Sequence, residues 1–89
     1  MISVYILGKV QTGTEDKVLN AFKNVKNLEK ASLTYGVYDL CVEGEFKGMD
    51  ELDDFILNVV RKIPGVKETV TLIASKTVFS QSGQAVSFG

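Results

Sequence analysis

Tyr35-Gly36-Val37-Tyr38-Asp39-Leu40 lies near the middle of this 89-residue chain, between two halves that each follow a strand, helix, strand pattern. Gly36 can adopt positive φ without steric cost, so it suits a tight reversal between antiparallel strands. The tip would then hold main-chain N–H groups beside the Asp39 carboxylate, a combination that can bind a zwitterion. The alternative is structural: Gly36 turns the chain, the tyrosines cover apolar surface and Asp39 caps the turn.

Alternating apolar residues on both sides of this segment predict four strands. The second strand covers Lys30 to Tyr35 and the third covers about Asp39 to Phe46. The first strand runs from Ile2 to Val10, and a long final strand runs from Val66 to about Phe79. Two helices fill the intervals.

The first helix is expected to begin at Thr12-Gly13-Thr14-Glu15, which has the spacing of a capping box, and to end near Lys26 to Leu28. The second begins around Asp50 and ends at Pro64-Gly65. Carboxylates crowd its first turn, where the helix dipole favours negative charge. Such carboxylates can also bind a divalent metal or act in acid/base catalysis, but an exposed helix start favours the structural role.

The order βαββαβ predicts an α+β, ferredoxin-like fold: a four-stranded antiparallel sheet with both helices on one face. We expect one domain over residues 1–79 and a C-terminal tail over residues 80–89. The tail is rich in Ser, Gly and Gln, and its segment Ala85–Phe88 could pair as an edge strand within an assembly.

The second face of the sheet is predicted to be neutral and partly apolar at its centre. The alternation assigns it Ser3, Tyr5, Leu7, Ser32, Thr34, Cys41, Thr69, Thr71, Ile73 and Ser75. A solvated face usually carries more charge, so this composition predicts a homodimer in which two sheets pack face to face about a two-fold axis. A Ser/Thr-rich solvated face is the alternative.

Composition excludes several classes of function. Ten basic and eleven acidic residues are interspersed, with a net charge of -1, which argues against direct nucleic-acid binding. No apolar run approaches the roughly 20 residues of a membrane span, and no signal leader is recognisable, so we expect a cytoplasmic protein. With no histidine and only Cys41, no Cys/His metal site, nucleophile pair or cofactor is predicted.

Four segments together resemble the effector-binding (RAM) domain of the Lrp/AsnC transcription regulators, over roughly residues 2–75. They are Ala31-Ser-Leu-Thr-Tyr-Gly-Val-Tyr-Asp-Leu40, Leu52-Asp-Asp-Phe-Ile-Leu57, Ile63-Pro-Gly-Val66 and Thr69-Val-Thr71. The resemblance implies a dimeric α/β barrel, often assembled into larger even-numbered oligomers, with amino acids bound in clefts between dimers. It also implies ligand-binding roles for Tyr35, Gly36, Tyr38 and Asp39, with Thr69 and Thr71 as further contributors.

The family's regulators carry an N-terminal helix-turn-helix, whereas the first predicted strand here begins at Ile2. We therefore expect a stand-alone form that senses a small molecule, most simply an amino acid, and self-assembles without catalysis. One alternative is a structural adaptor that co-assembles with a full-length Lrp/AsnC regulator. Another is a small barrel enzyme, but such sites usually need a histidine or polar cluster, and the helix stripes supply apolar residues such as Phe22 and Phe55.

Overall fold

The structure is a computed structural model that describes residues 1–80. The elements are β1 (Ile2–Val10), α1 (Glu15–Ala21), β2 (Leu28–Leu33), β3 (Leu40–Phe46), α2 (Met49–Asn58), a 3₁₀ turn (Val60–Lys62) and β4 (Val66–Ile73). The strands form one antiparallel sheet in the order β2-β3-β1-β4, which confirms the ferredoxin-like α+β fold. Apart from Ser80, the predicted tail with its Ala85–Phe88 strand lies outside the described residues.

One apolar core lies between the helices and the sheet. Its fully buried members from the two central strands are Val4, Ile6, Leu40, Val42 and Phe46, and those from the helical side include Val18, Leu52 and Val60. The rings of Phe46 and Phe55 meet with centroids 5.2 Å apart, a tilted aromatic contact that fixes α2 against β3.

The start of α1 differs from the predicted capping box. The Glu15 carboxylate accepts a hydrogen bond from the Gly13 N–H at 2.8 Å, and not from the Thr12 N–H as a capping box at Thr12 requires. The cap position is Thr14 and not Thr12, and the Thr14 hydroxyl donates to the Gln11 carbonyl at 2.7 Å instead of capping the helix. The prediction for Thr12 was therefore wrong.

Helix α1 ends at Ala21, earlier than the predicted Lys26 to Leu28. Asn24 and Asn27 adopt φ of 66° and 75°, and this left-handed conformation cannot continue a right-handed helix. Helix α2 likewise ends at Asn58, and the 3₁₀ turn carries the chain to Pro64-Gly65. Strand β2 consequently starts at Leu28, two residues before its predicted start.

A β-bulge lies near the start of β4. Val10 of β1 is opposite Val66, and Lys9 is opposite Glu68, so Lys67 is an extra residue in β4. Because side chains alternate along a strand, one extra residue reverses the face of everything that follows.

The predicted faces of β4 were therefore wrong. Opposite residues in an antiparallel pair share a face, and the observed pairs are Val70 with Leu7, Leu72 with Tyr5, Thr69 with Gly8, Thr71 with Ile6 and Ile73 with Val4. Thr69, Thr71 and Ile73 thus belong to the helix-covered face. Strand β4 also ends at Ile73 and not near Phe79, which leaves Ser75 beyond the strand.

The face away from the helices, called the open face below, is more apolar than predicted because of this reversal. It carries Ser3, Tyr5, Leu7 and Lys9 of β1, Lys30 and Ser32 of β2, Cys41, Glu43 and Glu45 of β3, and Glu68, Val70 and Leu72 of β4. Tyr5, Val70 and Leu72 keep 39%, 37% and 48% of their surface exposed. Three large apolar side chains therefore share one solvent-facing surface.

A second bulge, at Glu29, lies in the opposite edge strand β2, where the register shifts between Leu28 and Lys30. Gly44 of β3 is essential here, because a Cβ on it would lie 2.5 Å from the carbonyl oxygen of Asn27. That carbonyl accepts from the Glu45 N–H at 2.9 Å, and the Asn27 side-chain amide donates to Glu51 of α2 at 2.9 Å. The α1–β2 connection is thereby fixed to both β3 and α2.

Candidate ligand-binding site at the β2–β3 loop

The loop between β2 and β3 is built around Gly36, whose φ of 124° confirms the predicted need for glycine. The Thr34 N–H donates to the Asp39 carbonyl at 2.8 Å, which closes the loop. The Thr34 hydroxyl donates to the Tyr38 carbonyl at 2.7 Å. Among the described residues, the main-chain N–H groups of Gly36 and Val37 have no internal hydrogen-bond partner.

The aromatic residues of the loop have different surroundings. Tyr35 is fully exposed at the tip beside exposed Val37, whereas Tyr38 is half-buried. The ammonium of Lys9 lies 6.0 Å from the centroid of the Tyr38 ring, at the outer limit of a cation–π contact. Tyr38 therefore packs towards β1, and Tyr35 remains available for contact with another molecule.

Asp39 is held against the end of β1. Its Oδ2 accepts a hydrogen bond from the Val10 N–H at 2.9 Å, and its own N–H donates to the Gly8 carbonyl at 2.9 Å. The side chain thus replaces a main-chain carbonyl where the β1–β3 ladder ends. One carboxylate oxygen has a structural partner, so a ligand at this position would meet a carboxylate whose orientation is already fixed.

Thr69 and Thr71 lie across the sheet from this loop. Thr69 is opposite Gly8 and Thr71 opposite Ile6, both on the helix-covered face of β4. Since neighbouring strands are about 4.8 Å apart, β4 and β3 are separated by roughly 10 Å across β1. Within one chain the structure brings Tyr35, Gly36, Tyr38 and Asp39 together, and it leaves the two threonines outside the loop.

Two basic residues near these positions were not identified as site residues from the sequence. Lys9 reaches Tyr38 and also forms an ion pair with Glu68 at 3.4 Å, with both side chains largely exposed. Arg61 lines a hollow of about 470 Å³ together with Thr69. The sequence signal was weak, because Lys9 looks like an ordinary polar residue at a strand end and Arg61 like a helix C-terminal cation.

The larger concave surface of the described chain lies elsewhere, between α1 and β2, with a volume of about 780 Å³. No group of three His, Cys, Asp or Glu side chains suited to a metal ion occurs within residues 1–80.

Burial, and next the nearby Glu43 carboxylate, raises the pKa of the free Cys41 thiol, while Lys30 opposes the shift. A raised pKa leaves less thiolate and suits a packing role.

The sequence matches the family described as the Lrp/AsnC ligand binding domain over residues 3–83. This match covers most of the chain, and the order of elements and the β2–β3 loop agree with the resemblance noted from the motifs. The chain therefore belongs to the Lrp/AsnC ligand-binding domain family.

Individual relatives agree. The HTH-type transcriptional regulator FL11 of Pyrococcus horikoshii is 34% identical over 73 residues, which are 82% of this chain and 48% of FL11. The chain thus spans about half the length of the curated relatives it matches. The crystal structure of hypothetical protein PHS023 from Pyrococcus horikoshii is 32% identical, with a TM-score of 0.78, and the match covers 86% of this chain and 93% of that one.

A more distant structure shares the fold. The transcriptional regulator NMB0573 from Neisseria meningitidis, solved as a complex with L-Met, superposes with a TM-score of 0.83 at 11% identity, over 96% of this chain and 56% of that one. No helix within residues 1–80 is long and apolar enough to cross a membrane.

Proposed function

We propose that this domain is a non-catalytic, cytoplasmic amino-acid sensor that self-assembles and acts in transcription regulation. The family is that of a ligand-binding domain, and a regulator with the same fold was solved with L-Met. The observation that carries the proposal is the β2–β3 loop, where a fixed carboxylate, unpaired main-chain N–H groups and a lysine are close together.

Each part of the loop has a role in this proposal. The Asp39 carboxylate accepts from the α-ammonium, and the N–H groups of Gly36 and Val37 donate to the α-carboxylate. The Lys9 ammonium adds a positive charge on the same side as Tyr38, and Tyr35 forms a wall beside the ligand side chain. Thr69 and Thr71 contribute only where a second copy brings its β4 to the loop.

The open face supports the homodimer. Tyr5, Leu7, Val70 and Leu72 form a surface with an apolar centre, and such a surface packs favourably on a second copy about a two-fold axis. Cys41 and Ser32 complete the centre without charge. A ligand that binds between dimers of this kind would shift the assembly state by linkage.

A thermal-shift screen of the purified protein against the twenty amino acids tests the sensor proposal. A ligand at about a hundred times its dissociation constant stabilises the native state by roughly 2.7 kcal/mol, which gives a clear rise in Tm. A shift with one or a few amino acids supports the proposal and identifies the ligand class, and no shift with any of them contradicts it.

Asp39→Asn tests the assigned role of the carboxylate. The amide oxygen can still accept from the Val10 N–H, so the fold should persist, while the charge that attracts the ammonium is lost. Glu68→Gln is the matched control, because it removes an exposed carboxylate that forms an ion pair with Lys9 outside the β2–β3 loop. We expect Asp39→Asn to abolish the ligand-induced rise in Tm and Glu68→Gln to retain it; equal retention would reject the role of Asp39.

A structural adaptor that co-assembles with a full-length Lrp/AsnC regulator is the second candidate. The apolar open face favours it, since the same surface can pack on the corresponding domain of a relative such as FL11. Capture of a helix-turn-helix regulator on immobilised protein without added amino acid would support this candidate. An adaptor that binds no amino acid should also give no rise in Tm in the thermal-shift screen.

A further inference from the structure

The outer edge of β2 (Leu28–Leu33) is free for a further strand. The sheet order is β2-β3-β1-β4, so no other strand within residues 1–80 pairs with that side of β2. Beyond the bulge, Lys30 to Leu33 pair with β3 in unbroken register and present a regular edge. Main-chain N–H and C=O groups on such an edge can pair with an extended segment.

The groove of about 780 Å³ between α1 (Glu15–Ala21) and β2 lies beside this edge. Its floor consists of apolar side chains that pack on the core but remain partly exposed: Leu19, Val25, Leu28 and Ala31. Residues of both charge signs line its rim in equal number: Asp16, Glu29, Lys17 and Lys23. The remaining lining cation, Lys30, forms its ion pair with Glu43 on the open face. The groove therefore suits an apolar segment without charge.

The chain that follows β4 leads towards this edge. Thr77 and Phe79 line a hollow of about 110 Å³ with residues of three strands: Ser3 and Tyr5 of β1, Glu43 and Glu45 of β3, and Glu29 of β2. The chain thus crosses the sheet from the β4 side to the start of β2. At about 3.3 Å per residue, residues 80–84 can span up to roughly 16 Å, more than the spacing of about 4.8 Å between neighbouring strands.

The sequence of residues 80–89, of which 81–89 lie beyond the described part of the chain, matches the groove. It contains no charged residue, and Ala85-Val86-Ser87-Phe88 alternates a small side chain with a larger apolar one. Because successive side chains of a strand point to opposite faces, Val86 and Phe88 belong to one side and Ala85 and Ser87 to the other. The segment therefore has one apolar side when extended.

We propose that residues 85–88 dock on the β2 edge of the same copy as a fifth strand, with Val86 and Phe88 in the α1–β2 groove. Main-chain hydrogen bonds to β2 would hold the segment, and the groove would select its apolar side, as in other cases of strand addition. The docked segment would also protect β2 from pairing with other chains. This contact goes beyond the sensor function and does not depend on amino-acid binding.

Hydrogen exchange measured by mass spectrometry tests the docking. Val86→Asp with Phe88→Asp puts two charges into the groove, and Ala85→Asp with Ser87→Asp is the matched control, with the same charge change on the other side of the segment. We expect residues 85–88 of the native and control proteins to exchange roughly tenfold or more slowly than an unstructured peptide. The first variant should lose this protection, exchange faster in β2, and keep native protection in the central strand β1.

Two results would overturn the docking. One is complete exchange of residues 85–88 in the native protein at the earliest time point. The other is an equal loss of protection in the two variants, because the apolar side of the segment would then have no special role.

Paired cysteines show which copy supplies the segment. In a Cys41→Ser background, Asn20→Cys, at the exposed α1 rim of the groove, is combined with Val86→Cys. After oxidation with copper–phenanthroline, we expect a disulfide within one chain, seen as monomer mobility on a denaturing gel without free thiol. Asn58→Cys with Val86→Cys is the control, exposed at the end of α2 outside the groove, and should stay largely unlinked.

Each other result of the cross-linking contradicts the proposal. Covalent dimers from the Asn20→Cys pair would overturn docking within the same copy and assign the segment to a neighbouring copy. Free thiols in that pair, or equal cross-linking in the control, would overturn the contact with the groove.

Discussion

The two edges of the sheet contain the same irregularity with different consequences. Both β2 and β4 hold one extra residue, Glu29 and Lys67 respectively. The β2 bulge lies at the start of its strand and is fixed by Asn27, so the later alternation agrees with the simple pattern. The β4 bulge follows Val66 and transfers Val70 and Leu72 to the open face. A β-bulge therefore changes the surface of the sheet when apolar residues follow it in the strand, because it moves them to the other face.

The largest effect is expected at the β2 edge, from Gly44→Ala. The new Cβ would lie 2.5 Å from the Asn27 carbonyl oxygen and 3.0 Å from the Leu28 side chain, so the bulge must move. We expect a loss of about 2–3 kcal/mol in the free energy of unfolding, as for an overpacked core. Urea unfolding at fixed protein concentration measures it.

Gly8→Ala in the neighbouring strand β1 is the control. Its nearest contact would be 3.5 Å, to the Leu40 side chain, which is ordinary van der Waals distance. We expect a change below about 1 kcal/mol, within the range of tolerated core changes. Equal losses in the free energy of unfolding for the two variants would show that the close approach of the Asn27 carbonyl to Gly44 is not the cause of the destabilisation.

At the β4 edge, Leu72→Ala and Ile73→Ala test the reversal of faces. The two residues are adjacent and similarly exposed, at 48% and 43%, but Leu72 lies on the open face and Ile73 on the helix-covered face. If two open faces meet as proposed, Leu72→Ala removes apolar area buried at that proposed dimer interface. The loss should cost about 1.5–2 kcal/mol and raise the dimer dissociation constant roughly tenfold or more. Sedimentation equilibrium should show little change in the dimer dissociation constant for Ile73→Ala. A larger change for Ile73→Ala than for Leu72→Ala would mean that the side chains of β4 lie on the faces predicted from the sequence.

The Asn27 anchor distinguishes the β2 bulge from the β4 bulge, and Asn27→Ala tests it. Ala at φ of 75° is strained, and the bond to Glu51 is lost, so we expect a loss of about 1–2 kcal/mol. Asn24→Ala is the control, because Asn24 shares the left-handed φ, and its side chain forms none of the hydrogen bonds described for residues 1–80. If both variants lose the same stability in thermal unfolding, the anchor contributes nothing beyond backbone strain.

The smallest effect concerns Cys41, which lies between the two edges. Its folded pKa is raised, so the folded state holds the thiol proton more tightly than the unfolded state does. The resulting stabilisation is present below the unfolded pKa of about 9 and is lost as pH rises through the folded pKa. Between pH 8 and 10.5, the free energy of unfolding of Cys41→Ser should fall less steeply than that of the native protein. Identical slopes for the two proteins would exclude a contribution of the Cys41 thiol to the pH dependence.

Much of the fold could be predicted from short-range patterns. Val4 and Ile6 alternate as a strand should, and Gly36 is suited to its left-handed turn. The errors arise where the outcome depends on distant residues. The bulge at the start of β2 depends on how Asn27 contacts β3, and the faces of β4 depend on its register with β1.

The candidate site likewise contains residues that a local motif identifies and residues that only the tertiary structure brings together. The loop residues from Tyr35 to Asp39 are contiguous, so one local motif was enough to group them. The proximity of Lys9 to Tyr38 arises from tertiary structure, and no periodicity could indicate it. Thr69 and Thr71 were placed on the wrong face because alternation was extended through Lys67, and their part in ligand binding stays a prediction.

Cys41 is the chain's single cysteine, and it lies on the open face, opposite Ser32 on one side and Leu7 on the other. The native protein therefore carries one built-in attachment point for a thiol-specific label, at the centre of the surface where two copies are proposed to meet. Its accessibility to such a reagent at different dilutions would report pairing directly, and a spin label there would give the spacing of the two sheets without altering any other residue.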